Sequence, residues 1–209
     1  LRSRPYDGPA LDETTVGTAR ISGFSDRDLP LGELEGLLLC RAGIYSGTWV
    51  EQGKDTEQKT LAAIVCNRTG SLISQAKFTA WGGTFVVTWL PPGACCLAQE
   101  QLGNSNFTQE LPQLQSLSLD PGGQDLHPEL VEIAGDRGEV ILANISGKDV
   151  PGSVELWYKT FSQGLYLGGV SYKASVDNGA FRANAVAVIQ APHYDPETCV
   201  NITVTLAEN

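Results

Sequence analysis

Cys199-Val200-Asn201-Ile202-Thr203-Val204-Thr205-Leu206 is the stretch whose alternation decides the fold class. Successive side chains of an extended chain point to opposite sides, so Val200, Ile202, Val204 and Leu206 share one face and Asn201, Thr203 and Thr205 the other. One face is expected to be buried and the other wet. The same period of two, enriched in β-branched and aromatic residues, runs through 15–24, 36–50 with a break at Gly43 or Gly47, 59–67, 71–81 and 84–90. It resumes through 138–145, 153–161, 164–176 and 180–190. The fold class is therefore all-β, a single large antiparallel β-barrel or sandwich with long surface loops, spanning 1–209 without a domain boundary or a fixed-period repeat.

Turn chemistry supplies the joints. Asn178-Gly179 suits a type I′ hairpin turn, in which both central residues need positive φ, and Gly82-Gly83 and Gln163-Gly164 are two further hairpin positions. Residues 28–39 hold the one helix candidate. From Pro91 to Arg137 the strand rhythm fails amid Pro91-Pro92-Gly93, Pro112, Pro121-Gly122-Gly123 and Pro128. This stretch, 91–137, reads as an irregular, loop-rich excursion carrying one or two short strands.

Composition narrows the function. The 209 residues hold 14 Lys plus Arg against 24 Asp plus Glu, a net charge of −10, which argues against nucleic acid as a partner because phosphate binding needs a basic surface. Hydrophobic residues make up 42% and charged ones 18%, the balance of a folded domain rather than a disordered one. No run approaches the roughly 18 apolar residues of a membrane span, so no membrane insertion is expected. The sequence contains no Met and opens on Leu1-Arg2-Ser3-Arg4-Pro5, which lacks the apolar run of a signal peptide, so it reads as a fragment of a longer protein.

Cysteines and sequons point in opposite directions. Five cysteines, Cys40, Cys66, Cys95, Cys96 and Cys199, are an odd number, and the adjacent pair fits neither zinc nor C-x-x-C redox spacing, which suggests thiols in a reducing compartment. Four N-x-S/T sequons, at Asn67, Asn106, Asn144 and Asn201, suggest a secreted glycoprotein instead. Of the two, thiols with unused sequons is the expectation carried forward.

Catalytic groups are scarce. His127 and His193 are the two histidines, both in loop-like sequence, and neither a G-x-S-x-G elbow, a Walker-type loop nor a G-x-G-x-x-G opening a helix occurs. Asp125, Glu129, Glu132 and Asp136 read as a solvated acidic surface. No enzyme activity, metal or cofactor is expected. Trp49, Trp89 and Trp157 sit in apolar strand patterns and should be core, whereas Trp81 lies at a turn and Tyr194 is flanked by Pro192 and Pro196. A ring beside a carboxylate on a stiff loop suits a sugar, so Trp81, His193, Tyr194 and Asp195 are the candidate receptor-binding residues.

The tract Val154-Glu155-Leu156-Trp157-Tyr158 through Leu165-Tyr166-Leu167-Gly168-Gly169-Val170, within an acidic all-β chain, resembles the spike (projection) domain of avian astrovirus capsid proteins. The resemblance implies a β-barrel-like core and homodimeric spikes on the virion surface, joined to the remainder of the capsid protein. Their role would be attachment to a host receptor, with carbohydrate a candidate ligand. The alternative is an extracellular glycoprotein domain of adhesion or lectin type.

Overall fold

The computed structural model describes residues 23–51, 54–120, 130–151, 154–162, 165–176, 180–191, 194 and 199–206. Among these no helix occurs, and sixteen strands follow one another: β1 (Phe24–Asp26), β2 (Gly32–Leu34), β3 (Leu37–Glu51), β4 (Lys54–Asn67), β5 (Leu72–Ala80), β6 (Gly83–Leu90), β7 (Cys95–Gln99) and β8 (Gln113–Asp120). Then come β9 (Leu130–Asp136), β10 (Glu139–Asn144), β11 (Val150–Pro151), β12 (Val154–Ser162), β13 (Leu165–Val176), β14 (Ala180–Phe181), β15 (Val186–Gln190) and β16 (Cys199–Leu206). The all-β expectation is met by antiparallel, sandwich-like sheets, without a closed barrel.

The strand order repeats. In the first half β4 lies between β3 and β7, and β5 lies between β6 and β8. In the second half β10 lies between β9 and β15, and β12 lies between β13 and β16. Each half thus places its first, second and fifth strands in one sheet and its fourth, third and sixth in another. This is the order of strands A, B, E and C′, C, F in immunoglobulin-type sandwiches. The short pair β11 and β14 extends the third and fourth strands of the second half, with Val150 opposite Phe181 as Ile73 is opposite Leu90.

Local irregularities repeat as well. Leu37 faces Asn67 and Leu130 faces Asn144, and in both halves the first strand carries a bulge three residues further on, at Cys40 and Ile133. Gly93 and Asn184, each just before the fifth strand, share a positive φ of 73° and 55°. The cores correspond in turn: Leu37, Ala63, Val65, Leu90 and Ala98 in one cluster occupy the positions of Leu130, Val140, Leu142, Phe181 and Ile189 in another. At four of these five positions the second half carries the larger side chain, as Ala63 and Val140 show, so the apolar character is kept while identity is erased. The halves join where β13 runs parallel beside β7 at Tyr166 and Cys96.

Several expectations need correction. Residues 28–39 form a hairpin: Leu34 pairs Leu37 across Glu35 and Gly36, whose φ values of 51° and 91° make a type I′ turn. The break expected at Gly43 or Gly47 is absent, because glycine there serves close approach. A Cβ on Gly43 would strike the Ser25 carbonyl of β1, and one on Gly47 the Tyr45 ring. The stretch 91–137 holds three strands, β7, β8 and β9, closing the first half and opening the second. Pro91, Pro92 and Pro112 lie in the connections that lead into β7 and β8, and Pro121 and Pro128 lie outside the described residues. The run 180–190 is split into β14 and β15 by the turn at Asn184. The Asn178-Gly179 turn lies outside the described residues, whereas Ser162 pairs Leu165 across 163–164, as a two-residue hairpin requires.

Trp81 locks the N-terminal arm to the first half. It is fully buried, sits edge-on to Phe85 with centroids 5.5 Å apart, and donates its indole N–H to the Pro30 carbonyl at 2.8 Å. With Gly82 it forms the turn between Ala80 and Gly83, at φ 55°. Trp81→Phe, which keeps most of the ring but strands the carbonyl, is expected to cost about 1–2 kcal/mol. Trp81→Ala is expected to cost about 3–5 kcal/mol. Both are measured as a lowered urea midpoint at unchanged slope.

Candidate functional site

Of the four sequence-nominated contact residues, the two that the structure describes, Trp81 and Tyr194, are buried. Trp81 is interior. Tyr194 is buried too, edge-on to Tyr158 with centroids 5.9 Å apart and packed where Gly135 leaves room for its ring. Neither ring offers a face to a sugar. His193, Asp195 and His127 lie outside the described residues. Of the tryptophans expected in the core, Trp89 is half-buried at φ 50°, and the side chains of Trp49 and Trp157 lie outside the described set.

Two of the four sequons are turn machinery. Asn67 ends β4 and is 1% exposed; its Nδ2 donates to the carbonyls of Ser71 at 2.7 Å and Leu90 at 2.8 Å. Its Oδ1 accepts from Thr69 N at 2.9 Å and lies 2.7 Å from the Thr69 hydroxyl, which in turn accepts from Ser71 N at 3.2 Å. Asn144 ends β10, is likewise 1% exposed, and repeats the arrangement. Its Nδ2 reaches the carbonyls of Lys148 at 2.8 Å and Phe181 at 3.0 Å. Its Oδ1 takes Ser146 N at 3.0 Å and the Ser146 hydroxyl at 2.6 Å. Glycine follows in both, Gly70 at φ 76° and Gly147 at φ 72°. The Asn and the hydroxyl residue two places on are therefore one Asx-type turn, used twice. The signal that could have exposed the repeat was present in the sequence as Asn-x-(Ser/Thr)-Gly.

Asn106 differs. It is exposed on the connection between β7 and β8, and Asn201 lies in β16 opposite Tyr158, its side chain outside the described set. The Asn106 connection is held by Glu100, a buried carboxylate that accepts from Thr84 N, Leu102 N and Asn104 N at 3.3, 2.9 and 2.8 Å.

The sulfurs overturn the all-thiol expectation. Cys66 and Cys95, opposite one another on β4 and β7 with Cα atoms 4.1 Å apart, form a disulfide. Cys40 Sγ lies 3.4 Å from Cys66 Sγ, while Cys96 turns to the opposite face and joins the first core. Spacing alone could not reveal the bond, since 29 residues separate the pair and only the return of β7 beside β4 brings them together.

The disulfide belongs to a buried layer on the outer side of the first sheet, made of Tyr45, Ala62, Ile64, Cys66, Cys95 and Leu97. Arg41 closes one margin, chelating Asp26 at 2.7–2.8 Å and lying 4.9 Å over the Phe24 ring, and its guanidinium holds the Asp26 carboxyl below the usual value. The corresponding layer in the second half is open. Ile141 and Ala143 are half-buried, and Val186 and Val188, their partners across β10 and β15, are 56% and 55% exposed. The edges differ in the same way: β7 is flanked by β13, whereas β15 pairs with β10 alone among the described residues. No group of three or more His, Cys, Asp or Glu among the described residues could hold a metal ion. No protein-family model, no characterised protein and no solved structure matches this chain.

Two outcomes follow from these contacts. Asn67→Ala and Asn144→Ala should each cost about 2–4 kcal/mol in chemical denaturation, since each removes from a buried turn both amide N–H donors and the side-chain acceptor that hold it together. Asn106→Ala should stay within about 0.5 kcal/mol. Burial pushes the Tyr45 phenol above its ordinary value of 10.0. The folded state therefore retains the Tyr45 proton more strongly, and this contribution is complete below about pH 10 and lost as pH climbs through the raised folded value. Tyr45→Phe should flatten the alkaline fall in unfolding free energy.

Proposed function

We propose that this chain is a non-enzymatic attachment module of the extracellular adhesion type, and that it pairs with a second copy of itself through the outer face and edge of β15. The observation that carries this reading is the apolar face on which Val186 and Val188 are exposed and Ile141 and Ala143 half-buried, whose counterparts in the first half are buried. Isolated apolar side chains on a surface need no explanation, but a contiguous strand face repeated from a covered position does. The chain carries a net charge of −10, and these four uncharged side chains form a patch bounded on one margin by the Glu139–Gln190 pair, so copies can meet there with less repulsion than elsewhere. A two-fold contact uses the same patch on both copies, and the edge of β15 that pairs with no strand among the described residues supplies backbone groups for it.

The Cys66–Cys95 bond favours this reading over a projection on a capsid assembled in the cytoplasm, because glutathione keeps cytoplasmic thiols reduced. Attachment to a receptor on an opposing surface, protein or carbohydrate, then falls to loops rather than to the rings of Trp81 and Tyr194.

Sedimentation equilibrium tests the pairing. The wild-type chain is expected to dimerise at micromolar concentration, and Val186→Lys with Val188→Lys to sediment as a monomer with an unchanged unfolding midpoint. A wild-type monomer throughout that range would refute the self-association.

A further inference from the structure

We infer that Asn106 is an acceptor for an N-linked glycan and that the fold withholds Asn67 and Asn144 from that modification. The inference rests on the extracellular reading above, since the transfer takes place in the secretory route. In it, Asn106 Nδ2 gives up one proton and bonds to C1 of an oligosaccharide carried on a lipid diphosphate. The C1–O bond breaks with its electron pair going to the diphosphate. The product amide keeps a single N–H.

That single N–H decides between the sites. Asn67 needs two donors for Ser71 and Leu90, and Asn144 needs them for Lys148 and Phe181, at positions 1% exposed. A sugar on either nitrogen would remove one of these bonds and require space that the packing denies. The hydroxyl residue of each sequon is committed as well, Thr69 and Ser146 both lying on the Asn Oδ1. Asn106 carries no such burden. Its backbone N–H is fixed on Asn104 Oδ1 at 2.9 Å, the Asn104 carbonyl accepts from Leu61 N at 2.7 Å, and Thr108 N donates to the Trp81 carbonyl at 2.9 Å. The backbone is thus anchored on both sides while Asn106 and Thr108 stand exposed.

The same connection explains what a glycan would do there. Leu102 is 89% exposed, and Phe107 and Leu111 are exposed beside it in sequence. The C–H faces of sugar rings pack on apolar and aromatic side chains, so a glycan at Asn106 would shield the exposed side chains of this connection, Phe107 first among them.

The experiment routes the chain through the secretory pathway of eukaryotic cells behind an added signal peptide. Glycan removal by an amidase in heavy-oxygen water then marks each occupied Asn as a labelled Asp in peptide mapping. The label is expected at Asn106 and not at Asn67 or Asn144, and Asn106→Gln should abolish it with an unchanged thermal midpoint. An unlabelled Asn106 in secreted chain carrying the Cys66–Cys95 bond, or label at Asn67 or Asn144 in folded chain, would overturn the inference. Because the added signal dictates the route, a bare Asn106 speaks against the site and leaves the natural location to be tested on its own. That location is tested by whether the Cys66–Cys95 bond is present in the protein from its natural source.

Discussion

Each sandwich depends on one asparagine amide placed where three chain segments meet. At the end of β4 and of β10 the backbone leaves one sheet, turns, and enters the other, while the connection out of the fourth strand passes alongside. This crossing buries carbonyls that no strand can satisfy, and an unpaired buried carbonyl costs about 1–3 kcal/mol. A side chain with two N–H donors and an acceptor at short reach answers them, joined by the hydroxyls of Thr69 on the Ser71 carbonyl and Ser146 on the Lys148 carbonyl. Aspartate has no donors, glutamine is longer by a methylene, and serine has one proton. Asn67 and Asn144 meet the requirement, and the backbone repeats it, with Asn67 N on the Ala94 carbonyl at 2.9 Å and Asn144 N on the Ala185 carbonyl at 3.0 Å.

What was legible in the sequence was whatever depends on local alternation. The bounds of β16 could be read residue by residue, and β4, β5, β6, β10, β12 and β13 follow from the same pattern. The duplication was not legible because its period drifts. Equivalent residues are 93 apart at the first strand (130 − 37), 77 at the second (144 − 67) and 91 at the turn before the fifth (184 − 93). The longer third and fourth strands of the second half account for the increase between the last two figures. Core partners such as Ala63 and Val140 conserve position rather than identity, so no residue repeats visibly at a fixed step.

The contact residues were misread for a related reason. A tryptophan beside Gly-Gly looks exposed because turns usually are, yet Trp81 occupies the turn with positive φ and folds its ring inward beneath the arm at Pro30. What each sequon does was not legible because one tripeptide pattern serves two incompatible purposes. A nitrogen whose two hydrogens are both engaged by backbone carbonyls cannot also bear a sugar, and sequence alone does not show which hydrogens are engaged. Burial decides, and burial is a property of the assembled sheets.

The two halves share a scaffold but differ on the outer face, and the difference follows from position in the chain. The first half lies against the second along β7, so its outer layer could become apolar on both sides of β4, with Leu61, Ala63 and Val65 turned to one core and Ala62, Ile64 and Cys66 to another layer. Gln99 shows the consequence: it is buried, and its Nε2 has no acceptor among the described residues, because the residue opposite it is Ala62. Gln190 holds the same place in the second half, opposite Glu139, and donates to its carboxylate at 2.8 Å at the surface. The polar pair marks the margin of a face that meets water, and the stranded amide marks one that the chain has covered. Val186 and Val188 sit on the watered version of that face without being polar, and with Ile141 and Ala143 they keep there the chemistry of the covered half.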